Sequence, residues 1–361
     1  MGLQAALGSL VERLVVGATH DVQLLATLTP SNALAERERL VQDVRAGRTA
    51  TPRWTYAPVA HDELRRALDA AARSLEEHES GPVEGLYLER IRELSIEAAL
   101  SAAAGSDRVG ALARERFAPR DARIERDAST LGATWLATPE GPAQGATLAS
   151  DDADPRSLLS RMRAAVGRAR LPFTVVAHPS LASLAATGDR VILVATGRPV
   201  SDDDVERTVL HELEGHARPR VRALEAPLAL FRAGTARGVD DQEGRALLLE
   251  ERAGLLGARR RRSLGARHRS FEAMVAGATF ADVARELTRD HGLDPLQAVL
   301  FAERVFRGGD GVRPGLGRER VYLESLLRVR AHLEAHPEDE PVLASGQVAV
   351  DAAEALRPFV A

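Results

Sequence analysis

Apolar residues recur at helical spacing through most of the chain. In the first 130 residues the pattern predicts helices, punctuated by Pro and Gly, at residues 3–28, 33–46, 62–78, 83–104 and 108–117. The stretch TPRWTYAP, at 51–58, lacks this period and is predicted to be extended. Residues 1–136 are therefore expected to form a helical region.

The period changes after a segment rich in Gly, Pro, Asp and Ser. Residues 137–157 are predicted to be a loop or linker, and a helix is expected at 158–170. Two short β-branched runs bounded by Pro and Gly, at 173–178 and 190–195, are predicted strands. Helices return from Ser201 onward. The fold class is expected to be α+β and predominantly helical, with a small sheet before the most distinctive helix and the two regions continuous.

That helix contains the segment TVLHELEGHARPR, which carries the clearest chemical signal. Ser201, followed by three aspartates, predicts an N-cap and a capping box, and Pro219 is expected to end the helix. His211 and His216 are five residues apart, which separates them by about 140° on an ideal helix. A π-type widening would bring both to one face, and Gly215 would ease such a distortion.

A carboxylate on a later helix completes a candidate ligand set. Glu243 stands 27 residues after His216, in the predicted first turn of another acidic helix start. Two histidines and a glutamate are the zinc ligands of thermolysin-like hydrolases, which leave one position for water. Glu212 would then be the general base. The alternatives are that the histidines form a polar patch on an ordinary helix and that Glu243 compensates a helix dipole.

Composition narrows the chemistry. The 361 residues carry a formal net charge of −4, which gives no reason to expect a nucleic-acid partner. Because cysteine and lysine are absent, disulfides, thiolate ligands, Schiff bases and a P-loop lysine are excluded. No apolar run approaches the roughly 18 residues that span a bilayer, and no signal peptide is recognisable, so a soluble, cytoplasmic protein is expected. The Ala/Arg-rich bias is typical of a GC-rich bacterial genome, and the oligomeric state is left open.

Several motifs together resemble one known family. HELEGH and QEGRA are similar to the HExxxH and QEGLA motifs of tyrosine carboxypeptidases, whose animal members trim α-tubulin. The segments TPSNALAERERLV, PRWTYAP, AERVFRGG, GRERVYLESL and VLASGQVAV extend the resemblance, in the family's order, over nearly the whole chain. The resemblance implies a zincin-like metallopeptidase core in residues 158–361 and a peptide or protein C-terminus as substrate. It also implies that the Zn²⁺ ligands are His211, His216 and Glu243 and that the catalytic carboxylate is Glu212.

The chain departs from the family's motifs at three places. Glu214 stands where the family usually has glycine, which follows here as Gly215. QEGLA becomes QEGRA, which puts Arg245 two residues after a proposed ligand, and the family's Thr-Lys-Asp becomes GRE at 317–319. The helix distortion and the substrate contacts are therefore expected to differ from the family's, and the tubulin specificity is not carried over.

A carboxypeptidase must hold a terminal carboxylate, which an arginine binds through two hydrogen bonds. The candidates are Arg218, Arg304 and Arg307, and Tyr322 is a candidate donor to the developing oxyanion. Each has a structural alternative, because arginines also cap helices or pair on the surface and buried tyrosines are mostly core residues. The basic run GARRRRSLGARHR, at 257–269, is expected to be a solvated face or loop; a groove for an acidic peptide and a nucleic-acid patch are its functional alternatives.

The sequence thus predicts a zinc-dependent carboxypeptidase that uses metal-activated water. Two other functions stay open. The motif departures also suit a peptide-binding or regulatory module without catalysis, which would bind peptides at full zinc occupancy and leave their mass unchanged. The basic run also suits a nucleic-acid binder, which would show steep salt dependence and no need for metal.

Overall fold

The computed structural model describes residues 2–77, 81–139 and 147–360. The N-terminal helices are Gly2–Asp21 (α1), Leu24–Thr27 (α2), Ala33–Arg45 (α3), Asp62–Glu76 (α4), Pro82–Ala102 (α5), Val109–Arg116 (α6) and Ala122–Ala137 (α7). The predicted helix 3–28 is interrupted at residues 22–23, where the charge of Asp21 opposes the dipole at the end of α1. Residues 51–58 form neither helix nor strand, and residue 78, the predicted end of α4, lies outside the described residues.

Two small sheets follow. Their strands are Leu148–Ala149 (β1), Thr174–His178 (β2), Ala185–Thr187 (β3), Val191–Ala195 (β4) and Pro199–Val200 (β5), with the helix Leu158–Arg168 (α8) between β1 and β2. The central strand β4 pairs in parallel with β2 and antiparallel with β3, which is an edge strand. β1 pairs with β5, so the predicted linker contains a strand, and its residues 140–146 lie outside the described residues.

The predicted strands 173–178 and 190–195 are confirmed to within one residue as β2 and β4. The β-branched side chains of Val175 and Ile192 are buried in one cluster with Met162 of α8, which explains why these runs form strands. β3 and β5 escape sequence analysis because strands of two or three residues carry no detectable period.

A continuous helix carries the histidine motif. It consists of Asp202–Leu210 (α9), a π-helical segment at His211–Ala217 and Arg218–Glu225 (α10). The predicted capping box is present, with Ser201 and Asp204 binding each other's backbone N–H. The prediction that Pro219 ends the helix is wrong. Pro219 lies in the first turn of α10, directly after the π-helical segment, where the regular ladder of hydrogen bonds is already interrupted and its missing N–H is tolerated.

The C-terminal region is helical. Its α-helices are Ala229–Ala233 (α11), Gly238–Arg252 (α12), Ala258–Val275 (α13), Phe280–Arg289 (α14), Pro295–Phe306 (α15), Val321–Ala335 (α16), Glu340–Leu343 (α17) and Ala353–Leu356 (α18), with 3₁₀ turns at Arg318–Arg320, Pro337–Asp339, Val350–Ala352 and Arg357–Phe359. α12 packs against both α16 and the π-helical segment, and α13 packs against α7. α12 therefore brings the second sequence motif to the first.

One hydrophobic cluster joins the two predicted regions. Val15 and Leu94, from the N-terminal helices, are buried together with Leu247 of α12 and Leu326 of α16. Burying such a side chain stabilises the fold by about 1.5–3 kcal/mol, so the N-terminal helices support the helices that carry the motifs. The expected α+β, predominantly helical class is confirmed. Within the described residues, no helix is both long and apolar enough to cross a bilayer.

Candidate active site

The π-helical segment places both motif histidines on one face. Its widened pattern is visible at its end, where the N–H of Arg218 donates to the carbonyl of Leu213, five residues earlier. His211 Nε2 and His216 Nε2 lie 3.2 Å apart, and the two ring centroids are 5.0 Å apart. The irregular helix that the five-residue spacing requires is therefore present.

Glu243, on α12, faces the two histidines. Its Oε2 is 3.5 Å from His211 Nε2 and 3.9 Å from His216 Nε2. Donor atoms of the three side chains all lie within 4.8 Å of one another. Glu243 lies in the second turn of α12 and not in the predicted first turn, because the left-handed backbone of Arg237 starts the helix already at Gly238.

Each histidine is held through its other ring nitrogen. His211 Nδ1 lies 2.7 Å from Oε1 of the fully buried Glu250. His216 Nδ1 lies 2.8 Å from Gln242 Oε1, and the Gln242 amide nitrogen donates to the Gly346 carbonyl, which fixes the orientation of the amide. Each ring can therefore donate from Nδ1 and present the lone pair of Nε2 to an ion.

Sequence reasoning misses Gln242 and Glu250, although each carries a signal. Gln242 directly precedes Glu243 in the QEGRA motif. Glu250 follows Glu243 by seven residues, about two helical turns, so both carboxylates lie on the same face of α12. Arg260 of α13 completes the arrangement with two hydrogen bonds of 2.9 Å to Glu250.

Burial and ion pairing set the charges of this group. Burial opposes a charge on His211, but hydrogen bonds to Glu243 and Glu250 outweigh it and raise the pKa of His211 to about 10. Burial raises the pKa of Glu243, but the His211 hydrogen bond and the charge of Arg318 hold it well below its ordinary value. The pKa of Glu250 is also lowered, since Arg260 outweighs the effect of burial. The buried carboxylates therefore favour a positive charge at the centre of the cluster.

The glutamate of the histidine motif is held by strand β3. Thr187, the last residue of β3, donates its hydroxyl to Glu212 Oε2 at 2.7 Å. The hydrogen bond engages one carboxylate oxygen and leaves Oε1 to accept a proton. Sequence reasoning misses Thr187, because nothing in the sequence relates a three-residue strand to a helix 25 residues later.

Arg245 compensates for a gap that the π-helical segment creates. In the i→i+5 pattern the carbonyl of Glu214 would accept from residue 219, but Pro219 has no N–H. Arg245 donates to this carbonyl at 3.0 Å and binds Glu340 at 3.2 Å. The arginine that stands in place of the leucine of QEGLA therefore satisfies a backbone oxygen of the histidine motif.

Two motif glycines allow close contact between helices. A Cβ on Gly215 would lie 2.6 Å from the Cβ of Ala246, where the π-helical segment meets α12. A Cβ on Gly244 would lie 2.3 Å from the backbone of Ser325 on α16. Gly215 is therefore needed for the contact between the two motifs, in addition to its predicted effect on the helix.

Tyr322, on α16, lies among arginines beside the cluster. Its hydroxyl oxygen accepts from Arg304 at 3.1 Å and from Arg318 at 3.5 Å. Arg318 also donates to Glu243 Oε1 at 3.1 Å, so a single guanidinium group links the tyrosine to the cluster. Arg267 stacks on the ring, 3.8 Å from its centroid. Because the hydroxyl oxygen accepts from two cations, its own proton is free to be donated.

A cleft of about 1370 Å³ connects these groups. Its lining includes the two histidines, Glu212 and Glu243 of the two motifs, Tyr322, and residues 180–188, which contain β3. Of the predicted substrate arginines, Arg304 and Arg307 line the cleft. Arg218 does not; it pairs with Glu214 at 2.6 Å, because two residues after His216 a helical side chain points to the opposite face.

The basic run 257–269 belongs mainly to α13. Arg259 and Arg261 are exposed, whereas Arg260 and Arg267 point towards the interior. Arg260 binds Glu250, and Arg267 binds the buried Glu319. The expectation of a solvated face is therefore wrong for these arginines. Carboxylates from other helices neutralise them, which sequence proximity does not reveal.

The chain matches a family model over nearly its whole length. The model describes the microtubule-associated tyrosine carboxypeptidases and covers residues 43–361, which include both motifs and most of the residues that line the cleft. No curated protein is a significant match. The family resemblance predicted from the motifs is thus confirmed, and the matched family is one of carboxypeptidases. The chain therefore belongs to the microtubule-associated tyrosine carboxypeptidase family.

Proposed function

We propose that the chain is a zinc-dependent carboxypeptidase that removes the C-terminal residue of a peptide or protein. The proposed zinc ligands are His211, His216 and Glu243. The spacing of the two imidazoles carries this proposal. Two nitrogens roughly 2.0–2.1 Å from one tetrahedral ion would be about 3.3 Å apart, and the two Nε2 atoms are separated by 3.2 Å.

The surroundings of the cluster also fit a metal ion. Two imidazoles and one carboxylate are a donor set that suits Zn²⁺ and leaves a position open. Glu250 and Gln242 accept hydrogen bonds from the Nδ1 atoms, so that both Nε2 atoms face the same point. When bound in such a site, zinc lowers the pKa of a water ligand and polarises a carbonyl group.

Glu212 is proposed as the general base. Its Oε1 accepts a proton from the attacking water and then delivers that proton to the leaving nitrogen of the peptide. The Thr187 hydroxyl holds Oε2 at 2.7 Å and so keeps the carboxylate in one orientation throughout this transfer. No covalent intermediate with the protein is required.

Tyr322 is proposed to stabilise the oxyanion. Its free proton can be donated to the oxygen of the scissile carbonyl as negative charge develops there. Arg304 and Arg318 hold the hydroxyl oxygen in place and add positive charge.

An extended substrate is proposed to lie along β3. Among the described strands this one lies at the edge of its sheet, and residues 180–188 line the cleft, so backbone hydrogen bonds to an added strand are available. For the terminal carboxylate we favour Arg307, because Arg304 already binds Glu319 at 2.7 Å and Tyr322. Arg218, which lies off the cleft, is not proposed as a substrate contact.

The departures at Glu214 and Arg245 do not favour a module without catalysis. Glu214 pairs with Arg218 away from the cleft, and Arg245 supports the backbone of the π-helical segment. Neither alters a donor atom of the cluster.

Substituting Glu212→Gln tests the proposal, because glutamine keeps the shape but cannot accept the proton. We expect turnover to fall by about 10³-fold while zinc content stays near one ion per chain. Zinc is measured by mass spectrometry on the purified protein, and turnover as loss of the C-terminal residue from a mixture of peptides.

The matched control is Glu214→Gln, two residues away in the same motif, which should retain turnover and zinc. Full activity of the Glu212→Gln protein would refute the role of Glu212. Wild-type protein that neither contains nor takes up zinc would refute the metal site.

A further inference from the structure

Two arginines of the cleft have no acidic side chain in contact among the described residues. Ten arginines and six acidic side chains line it. Eight of these arginines contact an acidic side chain or a backbone carbonyl oxygen. Within the described part of the chain, the guanidinium groups of Arg198 and Arg307 make no such contact.

Arg198 and Arg307 lie near the same carboxylate. Arg198 stands between β4 and β5, and Arg307 follows α15, one turn after Arg304. Burial lowers the pKa of both guanidinium groups, and neighbouring cations, Arg37 and Arg304, lower these pKa values further. The charge of Glu303 raises the pKa of both, and Glu303 lines the cleft together with the two arginines.

Glu303 is not available to neutralise either arginine. Its two carboxylate oxygens each accept a hydrogen bond of 2.8 Å from Arg37, and this pair is buried. An arginine side chain remains protonated at physiological pH, so both residues bring to the cleft a positive charge that no described carboxylate contacts. A carboxylate group of a ligand would neutralise such an arginine best, because it can accept two hydrogen bonds from one guanidinium group.

We propose that the preferred substrate ends in glutamate or aspartate, with Arg307 holding the terminal carboxylate and Arg198 the side-chain carboxylate. This inference rests on the proposed carboxypeptidase function. The assignment follows from position. Arg307 is one turn from Arg304, which contacts Tyr322 beside the cluster. Arg198 precedes α9, whose nine residues put roughly 13 Å between its start and His211.

A terminal tyrosine, as in the family's name, would suit these two arginines less well. Its phenol carries no charge at neutral pH, so Arg198 would remain uncompensated. An uncharged ring that covers a guanidinium group displaces its water molecules and offers no hydrogen-bond acceptor or charge in their place, which is unfavourable. The tyrosine preference is therefore not expected in this chain.

Binding to the zinc-loaded Glu212→Gln protein tests this inference without turnover. Four acetylated peptides are compared by calorimetry: three alanines followed by Glu, Gln or Tyr, and the Glu peptide as its C-terminal amide. We expect the Glu free acid to bind about tenfold or more tightly than each of the other three.

Two variants separate the roles of the arginines. Arg198→Gln should abolish the preference for Glu over Gln and keep the preference for the free acid over the amide. Arg307→Gln should abolish the preference for the free acid over the amide and keep the preference for Glu over Gln. The matched control is Arg289→Gln, an exposed arginine on α14 outside the cleft, which should change neither preference.

Equal binding of the Glu and Gln peptides, tighter binding of the Tyr peptide, or no measurable binding of the Glu peptide would overturn the inference. The proposed function is assessed separately, by zinc content and by cleavage with the wild-type protein. A protein that contains zinc and cleaves peptides without an acidic preference would refute this inference alone. A protein with neither zinc nor cleavage would refute the proposed function.

Discussion

Two groups of arginines in one cleft differ in whether the fold supplies their counter-charge. Arg260 and Arg267 are bound to the buried carboxylates of Glu250 and Glu319. In the second group, Arg198 and Arg307, no described carboxylate contacts either guanidinium group. The first group belongs to the framework that supports the candidate metal ligands, and the second is left for an external anion. The chemical role of an arginine therefore depends on what is buried next to it.

The largest expected difference between the groups is in stability. Arg260→Leu removes the two guanidinium hydrogen bonds of the fully buried Glu250 and leaves His211 as its partner, which should lower the free energy of unfolding by about 3 kcal/mol. Arg198→Leu removes a cation that no described carboxylate contacts, and should change the free energy of unfolding by less than about 1 kcal/mol. Urea unfolding of both metal-free variants measures this. Equal losses in the two variants would remove the distinction between the groups.

Acid should weaken the paired group specifically. Burial raises the pKa of Glu319, but the charges of Arg267 and Arg304 outweigh it and lower the pKa to about 2. Because this pKa is below that of the unfolded chain, the contribution of Glu319 is complete above roughly pH 4.5. It is lost as pH falls towards 2, and amounts to about 3 kcal/mol in total.

Unfolding measured at pH 5 and pH 3 captures about half of that loss. The metal-free Glu319→Gln variant should be less stable at pH 5 and should lose less stability on going to pH 3. A variant with the same pH dependence as the wild type would show that Glu319 does not carry this effect.

The sequence predicted the parts of the site that depend on spacing along one helix or between two helices. The five-residue interval between His211 and His216 required a π-type widening, which is present. It did not predict which of 48 arginines are neutralised. Arg267 and Glu319 are 52 residues apart and Arg37 and Glu303 are 266 apart, so their pairing is set by how distant helices pack. The contact of Thr187 with Glu212 joins a three-residue strand to a helix, which spacing along the chain does not reveal either.

The smallest expected effect concerns Arg245, a paired arginine that mainly serves the backbone. Arg245→Leu restores the leucine of QEGLA but leaves the Glu214 carbonyl without a donor, since Pro219 has no N–H. We expect a loss of about 1–3 kcal/mol in the free energy of unfolding, part of which comes from the ion pair with Glu340.

Pro219→Ala supplies the missing N–H and should rescue part of this loss. In a protein that retains Arg245, Pro219→Ala should change the free energy of unfolding little, because Arg245 already donates to the Glu214 carbonyl. The two substitutions should therefore be coupled by more than the roughly 0.5 kcal/mol within which independent sites add. Urea unfolding of the two single variants and the double variant measures this coupling. Additive effects would mean that Arg245 acts through Glu340 alone, and that the π-helical segment keeps its shape without a side chain bound to the Glu214 carbonyl.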